Sequence, residues 1–293
     1  MKSIRGLIVA LVTALIAAAV AWAASFGTVT TSVGPYTGPL FGLFVIIAFG
    51  INWLVFIPSA IARTEKFYDL TGSLTYLSLI AAAAFLTMPL DVRGTIVAVC
   101  VAVWALRLGT FLFSRIRRDG EDRRFAKIKI NPLRFLAAWS IQALWCFLTA
   151  AAALGVLASE VRVPIDLFLI VGLAMWVVGF VIETIADGQK KAFRADPANR
   201  DRFITTGLWA WSQHPNYFGE ILLWCGVAVM ALPVLNGGLW IVLISPVFVA
   251  LLLLRVSGVP LLDAHALAKW GDDPAYKDYR KRTSKIIPLP PRG

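Results

Sequence analysis

The chain has 293 residues, of which 59% are hydrophobic and only 15% charged, with a formal net charge of +11. Soluble domains carry roughly 45–50% apolar and about 25% charged residues, so this composition excludes a soluble fold and points to an integral membrane protein. The positive charge lies in segments between apolar runs, the pattern of a positive-inside bias, which argues against nucleic acid and for the lipid bilayer as partner.

A spanning helix needs about 20 mainly apolar residues. Eight segments qualify: 4–24, 38–62, 71–89, 93–114, 133–157, 165–186, 217–234 and 238–257. They predict an all-α fold, a polytopic membrane bundle of seven to eight transmembrane helices. The first segment, 1–24, has a basic start and small residues near its end, as a secretory signal does. Its apolar run is longer than a signal core, so it reads as a retained first transmembrane helix. Residues 25–293 then form one membrane-embedded domain. Cys100, Cys146 and Cys225 each fall inside an apolar run without metal-ligand spacing, and no metal site is expected.

The basic stretches are 115–134, 187–203 and the tail from Lys269 to Arg292. With eight spans they all fall on one side, which the positive-inside bias assigns to the cytoplasm. The Ala-rich spans have a bacterial look and suggest an inner-membrane location. The Pro-rich ending 288-PLPPRG-293 reads as a frayed end.

Ionisable groups at membrane depth are costly and face a bundle interior or a wet cavity, so each is a functional candidate. At the third span's entrance, in 65-EKFYDLTGSLTYL-77, Tyr68 and Asp69 stand where the chain re-enters the membrane. Asp suits the first turn of a helix and Thr71 could cap it. Equally, the pair could stand at a cavity mouth, where a desolvated carboxyl that keeps its proton donates a hydrogen bond at neutral pH. In the fourth span Trp104, Arg107 and Phe111 share a helical face. Arg107 there either locks two helices through a carboxylate or serves a ligand.

At the end of the sixth span, Glu183, Asp187 and Lys191 follow one another at four-residue steps, with Lys190 and Arg194 on a neighbouring face. Such a ladder can be a solvated helix end. Alternatively, the acids grip hydroxyls and the bases beyond them grip phosphates. The seventh span opens with 212-SQHPNYFGEILLW-224. Pro215 suits a first helical turn because it lacks the amide hydrogen that would go unpaired there. That turn also leaves backbone donors free for an anion. Asn216 and Glu220 share a face, with His214 just outside, either a ligand contact or an interfacial residue. Glu220 is far from any other charge on its helix and needs an internal partner such as Arg107.

From about Gly179 to Pro288 the chain resembles the steroid 5-alpha-reductase family of membrane-embedded reductases. The matching pieces are 183-ETIADGQKKAFR-194, 207-GLWAWSQHPNYFGEILLWCG-226 and 276-YKDYRKRTSKIIPLP-290. Upstream, 107-RLGTFLFSRIRR-118 is similar to the end of that family's third helix. The resemblance implies an enzyme that binds NADPH in a polar cavity open to the cytoplasm, within about 179–288. A lipophilic substrate would enter from the membrane, with no obligate protein partner. Hydride would pass to the β carbon of an enone such as a 3-oxo-Δ4 steroid, while an acidic group hydrogen-bonds the carbonyl oxygen.

Carried over by position, Asp187, Arg194, Arg202, Asn216 and Glu220 fall on cofactor-contacting or supporting positions. Arg115 and Arg118 fall near the cofactor, and Glu183 replaces what is often an Asn. On the same reading His214 and the helix start lie nearer the phosphates, with Arg107, Lys191, Tyr217 and Asp263 as further cofactor contacts. Tyr68 and Asp69 overlay the family's Gln-Glu pair beside the substrate ketone and are the catalytic candidates. The family's catalytic Tyr falls on Trp104, which cannot act as an acid and is left as a substrate contact. Tyr68 could supply the lost hydroxyl, or Asp69 could hold the enone alone. The His-rich stretch that the family carries after its last span is absent; Asp263 and His265 stand in that region without a clear register.

The His-Pro-x-Tyr part is also similar to isoprenylcysteine and phospholipid methyltransferases, so an S-adenosylmethionine-dependent membrane methyltransferase is the alternative. Those enzymes have paired acids after the last span, where this chain has Asp263 alone. A non-enzymatic membrane scaffold or lipid carrier is the third possibility.

Overall fold

The computed structural model describes residues 2–119 and 125–292, with side chains over 4–114 and 125–292. Among them eight helical stretches are long and apolar enough to cross a membrane, and strand is confined to one short hairpin. The protein is an all-α integral membrane bundle.

Two compact units are present. The first comprises Met1–Leu169 and Met230–Ser245. It holds α1 (Lys2–Ala24), α2 (Leu40–Ile61), α3 (Tyr68–Leu86), α4 (Val92–Asp119) and α5 (Pro132–Ala158). α5 is its axis, packing on α1, α2, α3 and α4, and is buried on nearly every face from Leu144 to Ala158. Its small residues allow this. A Cβ on Gly155 would lie 3.0 Å from the Val242 side chain. On α1, a Cβ on Gly6 would lie 2.4 Å from the Leu133 carbonyl oxygen, so that helix approaches α5 at backbone distance. The hairpin β1 (Thr30–Val33) and β2 (Tyr36–Pro39) turns through Gly34, whose φ of +56° suits the first central position of a two-residue loop.

Two charged side chains buried inside this unit are held by partners. Arg93, 1% exposed, donates to the Met230 carbonyl at 2.6 Å, the Pro164 carbonyl at 3.3 Å and the Asp166 carboxylate at 2.8 Å. Buried Glu65 accepts from Lys129 Nζ at 2.8 Å, beside an aromatic cluster of Tyr68, Phe125, Phe135 and Trp139.

The second unit comprises Ile170–Val229 and Pro246–Gly293. Its main elements are α6 (Leu167–Ala195), α7 (Pro215–Ala231), the end of α8 (Ile244–Leu251), α9 (Val259–Trp270) and α10 (Pro274–Arg282). α6 and α7 cross at backbone contact. A Cβ on Gly219 would lie 2.6 Å from the Gly179 carbonyl oxygen, and one on Gly226 would lie 2.5 Å from that of Gly172.

Several expectations are corrected. α3 starts at Tyr68 rather than near 71, and Thr71 does not cap it: its hydroxyl donates back to the Phe67 carbonyl at 2.7 Å. α6 continues about two and a half turns past its apolar run, to Ala195. The eighth span is not one regular helix. A 3₁₀ turn at Gly237–Leu243, α8, and a π-turn at Leu252–Val256 precede a break at Gly258, where ψ is −94° and Pro260 restarts the chain as α9. The tail is not frayed. Residues 284–292 are pinned by bonds from Gln213 N to the Ser284 carbonyl (2.8 Å), Ser212 Oγ to the Ile286 carbonyl (2.7 Å) and Leu289 N to the Trp211 carbonyl (3.1 Å).

Candidate functional site

The second unit contains a cavity of about 540 Å³, within the roughly 300–1,000 Å³ range of small-molecule sites. Four stretches build it. The end of α6 supplies Lys190 and Arg194, the connection that follows supplies Arg202, Phe203, Trp209 and His214, α9 supplies Asp263 and Lys269, and α10 supplies Tyr276 and Tyr279. Four cations and several aromatic rings therefore face one space.

Each wall is fixed by its own bonds. Trp209 Nε1 donates to the Ala186 carbonyl at 3.0 Å, and Lys190 Nζ sits 4.7 Å from the centre of its ring, a cation–π contact. Tyr279 donates to the Trp209 carbonyl at 2.7 Å, and burial raises its phenol above the usual range, so the hydroxyl stays a donor. Phe203 packs between Trp270, Tyr276 and Tyr279. Asp273 caps α10 by accepting from the Ala275 amide at 2.8 Å, with Pro274 in the first turn.

His214 lies at the edge of this cavity, immediately before α7, and is 5% exposed. Its Nε2 is 3.3 Å from Asp263 Oδ1, and its ring stacks on Tyr217 at 5.6 Å. Burial pushes the imidazole down to about 4; Asp263 pulls the other way, and Lys190 and Lys285 add to the depression. The ring is therefore neutral at neutral pH. A neutral ring that donates from Nε2 to Asp263 leaves a bare lone pair on Nδ1. That Nδ1 is buried with no hydrogen-bond partner among the described residues. Asp263 is itself held by Lys285 at 3.0 Å and Arg280 at 3.6 Å.

One residue into α7, Asn216 Nδ2 donates to Asp187 Oδ1 of α6 at 3.3 Å, and Asn216 Oδ1 is a second buried acceptor without a hydrogen-bond partner among the described residues. Two lone pairs near the start of one helix are suited to a ligand that donates hydrogen bonds. The cations nearby suit a ligand with phosphates.

The structure thus brings His214, Asp263, Lys190, Arg194 and Arg202 to one cavity, and joins Asn216 to Asp187. Glu183 is buried on α6, one turn before Asp187. Glu220 is half-buried on α7, one turn beyond Asn216. Lys191 is exposed and His265 borders the cavity. Tyr68, Asp69, Trp104 and Arg107 belong to the first unit. There the Tyr68 hydroxyl donates to the Ala138 carbonyl at 2.9 Å, so it would have to break that bond to donate to a ligand. Asp69 lies in the first turn of α3. Trp104 is buried edge-on against Tyr76 at 5.1 Å, and Arg107 lies 5.9 Å from the Phe111 ring centre. Arg115 and Arg118 have helical backbone in α4, and their side chains lie outside the described residues.

Sequence reasoning missed the aromatic walls, Lys269, and the pair Arg280 and Lys285 behind Asp263. A signal was present in 270-WGDDPAYKDY-279, where a cap, a proline and three aromatics mark a short packed helix. A model of the family described as Protein of unknown function (DUF1295) matches residues 55–283. No curated protein and no solved structure matches the chain.

Proposed function

We propose that this chain, which belongs to the DUF1295 family, is a membrane-embedded reductase using NADPH to reduce the carbon–carbon double bond of a lipophilic enone, such as a 3-oxo-Δ4 steroid. The observation that carries this reading is the second unit's cavity, with four cations, aromatic walls and, at its edge, the bare acceptor of neutral His214. Bound there, NADPH would supply the hydride, the chemistry being the cofactor's own. Lys190, Arg194, Arg202 and Lys269 would hold its phosphates, where base-rich surroundings favour a 2′-phosphate. Trp209, Tyr276 and Tyr279 offer ring faces and edges to its flat groups. Asn216, oriented by Asp187, and His214, oriented by Asp263, would accept hydrogen bonds from it.

In the first unit, Asp69 is the residue assigned to the substrate, donating a hydrogen bond to the carbonyl oxygen as negative charge grows there. The substrate reaches it from the bilayer. The basic segments and the cavity face the cytoplasm, in a bacterial inner membrane. S-adenosylmethionine has no phosphate and would offer the four cations only its single carboxylate, so it fits them less well than NADPH does.

The test is two measurements on the detergent-solubilised full chain. NADPH should raise the melting temperature, and Arg202→Gln or Lys190→Gln should weaken binding roughly 10-fold each. Absorbance of the reduced nicotinamide should fall only when an enone such as progesterone is present, and not at all in Asn216→Leu. A melting shift with S-adenosylmethionine and none with NADPH would sink the reductase in favour of a methyltransferase. No shift with either would leave a scaffold.

A further inference from the structure

Outside the spans, the second unit carries an apolar patch that its own fold leaves uncovered. Trp211 is 47% exposed, Ile287 56% and Leu289 49%. Backbone bonds hold the two stretches together: Ser212 pairs with Ser284 in a parallel bridge, and the Leu289 amide donates to the Trp211 carbonyl. The tail therefore cannot fold these side chains away without losing its bonds.

Charge around the patch has one dominant sign. Between residues 277 and 292 there are six cations against one acid, Asp278. Three of them, Lys277, Lys281 and Arg292, are exposed and take part in no ion pair among the described residues. Position supplies the remaining argument. Trp211 precedes the α7 span, which opens at Pro215, by four residues. Even fully extended, those residues reach only roughly 14 Å, so Trp211 stays near the point where the chain enters hydrocarbon. Indole rings favour the headgroup level, and each cation near an anionic leaflet is attracted to it.

We propose that this patch docks on the anionic headgroup layer of the leaflet that α7 enters. Trp211, Ile287 and Leu289 sit among the headgroups, and Lys277, Lys281 and Arg292 lie against lipid phosphates. Docking steadies the tail whose Lys285, with Arg280 of α10, holds Asp263 beside the cavity.

The test places a nitroxide on Leu289→Cys in the full chain, reconstituted in nanodiscs of phosphatidylcholine or of phosphatidylcholine with phosphatidylglycerol. Relaxation by oxygen, which concentrates in lipid, is compared with relaxation by a water-soluble nickel chelate. Wild type treated in parallel sets the background from the native cysteines, and Ile287→Cys is the second reporter should the first variant not fold. With phosphatidylglycerol, oxygen should dominate. Lys277→Gln/Lys281→Gln/Arg292→Gln should weaken the attraction roughly 100-fold and shift the label toward the nickel reagent. Nickel access in both bilayers would overturn the proposal, because the patch would then face water. Shielding from both reagents would overturn it in favour of a protein cover, such as a second copy. Oxygen dominance indifferent to lipid charge and to the triple substitution would refute the role of anionic headgroups.

Discussion

Gly219→Ala should destabilise the protein, whereas Gly188→Ala should stabilise it, although both replace a glycine inside a helix. Gly188 lies in α6 with nothing within 4 Å of the position its Cβ would take. Alanine there gains about 1 kcal/mol of helix propensity and meets no obstacle. At Gly219 the same methyl would stand 2.6 Å from the Gly179 carbonyl oxygen and 2.7 Å from the Glu183 amide nitrogen. These obstacles are backbone atoms of α6 and cannot swing aside. Reaching ordinary contact requires about 1 Å of separation between α6 and α7, and overpacking of this kind costs about 1–3 kcal/mol. The propensity gain is common to both variants, so their difference isolates the clash at about 1–3 kcal/mol. The same separation would carry Asn216 away from Asp187, now 3.3 Å apart, so nucleotide binding should weaken along with stability. Thermal melting of the two variants beside wild type, with and without NADPH, reads both effects. If Gly219→Ala melted at or above Gly188→Ala, the backbone contact between α6 and α7 would be refuted.

His214 provides a pH signature. Its folded value of about 4 lies below its ordinary 6.5, so in that window the unfolded chain binds the proton and the folded chain does not. The stability it contributes is present above about 6.5 and is lost as pH falls toward 4, roughly 3 kcal/mol in all. Wild type should therefore lose more melting temperature between pH 7 and pH 5 than His214→Gln does; parallel losses would contradict a buried neutral imidazole. In the first unit, Asp166→Ala leaves the Arg93 guanidinium buried without its carboxylate and should cost roughly 3 kcal/mol. Arg93→Met/Asp166→Ala should recover part of that loss in the same melting assay. An Asp166→Ala melt equal to wild type would show that the Met230 and Pro164 carbonyls suffice.

The sequence by itself determined the membrane class, the eight spans and the start of α7 at Pro215. These follow from local rules: how many apolar residues cross hydrocarbon, and which residue lacks an amide hydrogen. The resemblance to a reductase family, not a local rule, put Asp187, Arg194, Arg202, Asn216 and Glu220 on cofactor positions with His214 beside them; of these, His214, Arg194 and Arg202 line the cavity. Tertiary structure alone decided what stands behind them. Asp263 reaches His214 across 49 residues, and Tyr279 reaches the Trp209 carbonyl across 70. Contacts at such separations leave no periodicity to read, since they depend on how helices pack rather than on which residues make a helix. The broken eighth span has the same origin. Its apolar run is continuous, but Gly258 and Pro260 let the chain restart as α9 and bring Asp263 to the cavity. The tail looked frayed for a related reason: a proline-rich end has no regular pattern of its own, and bonds to residues 211–213 are what order it.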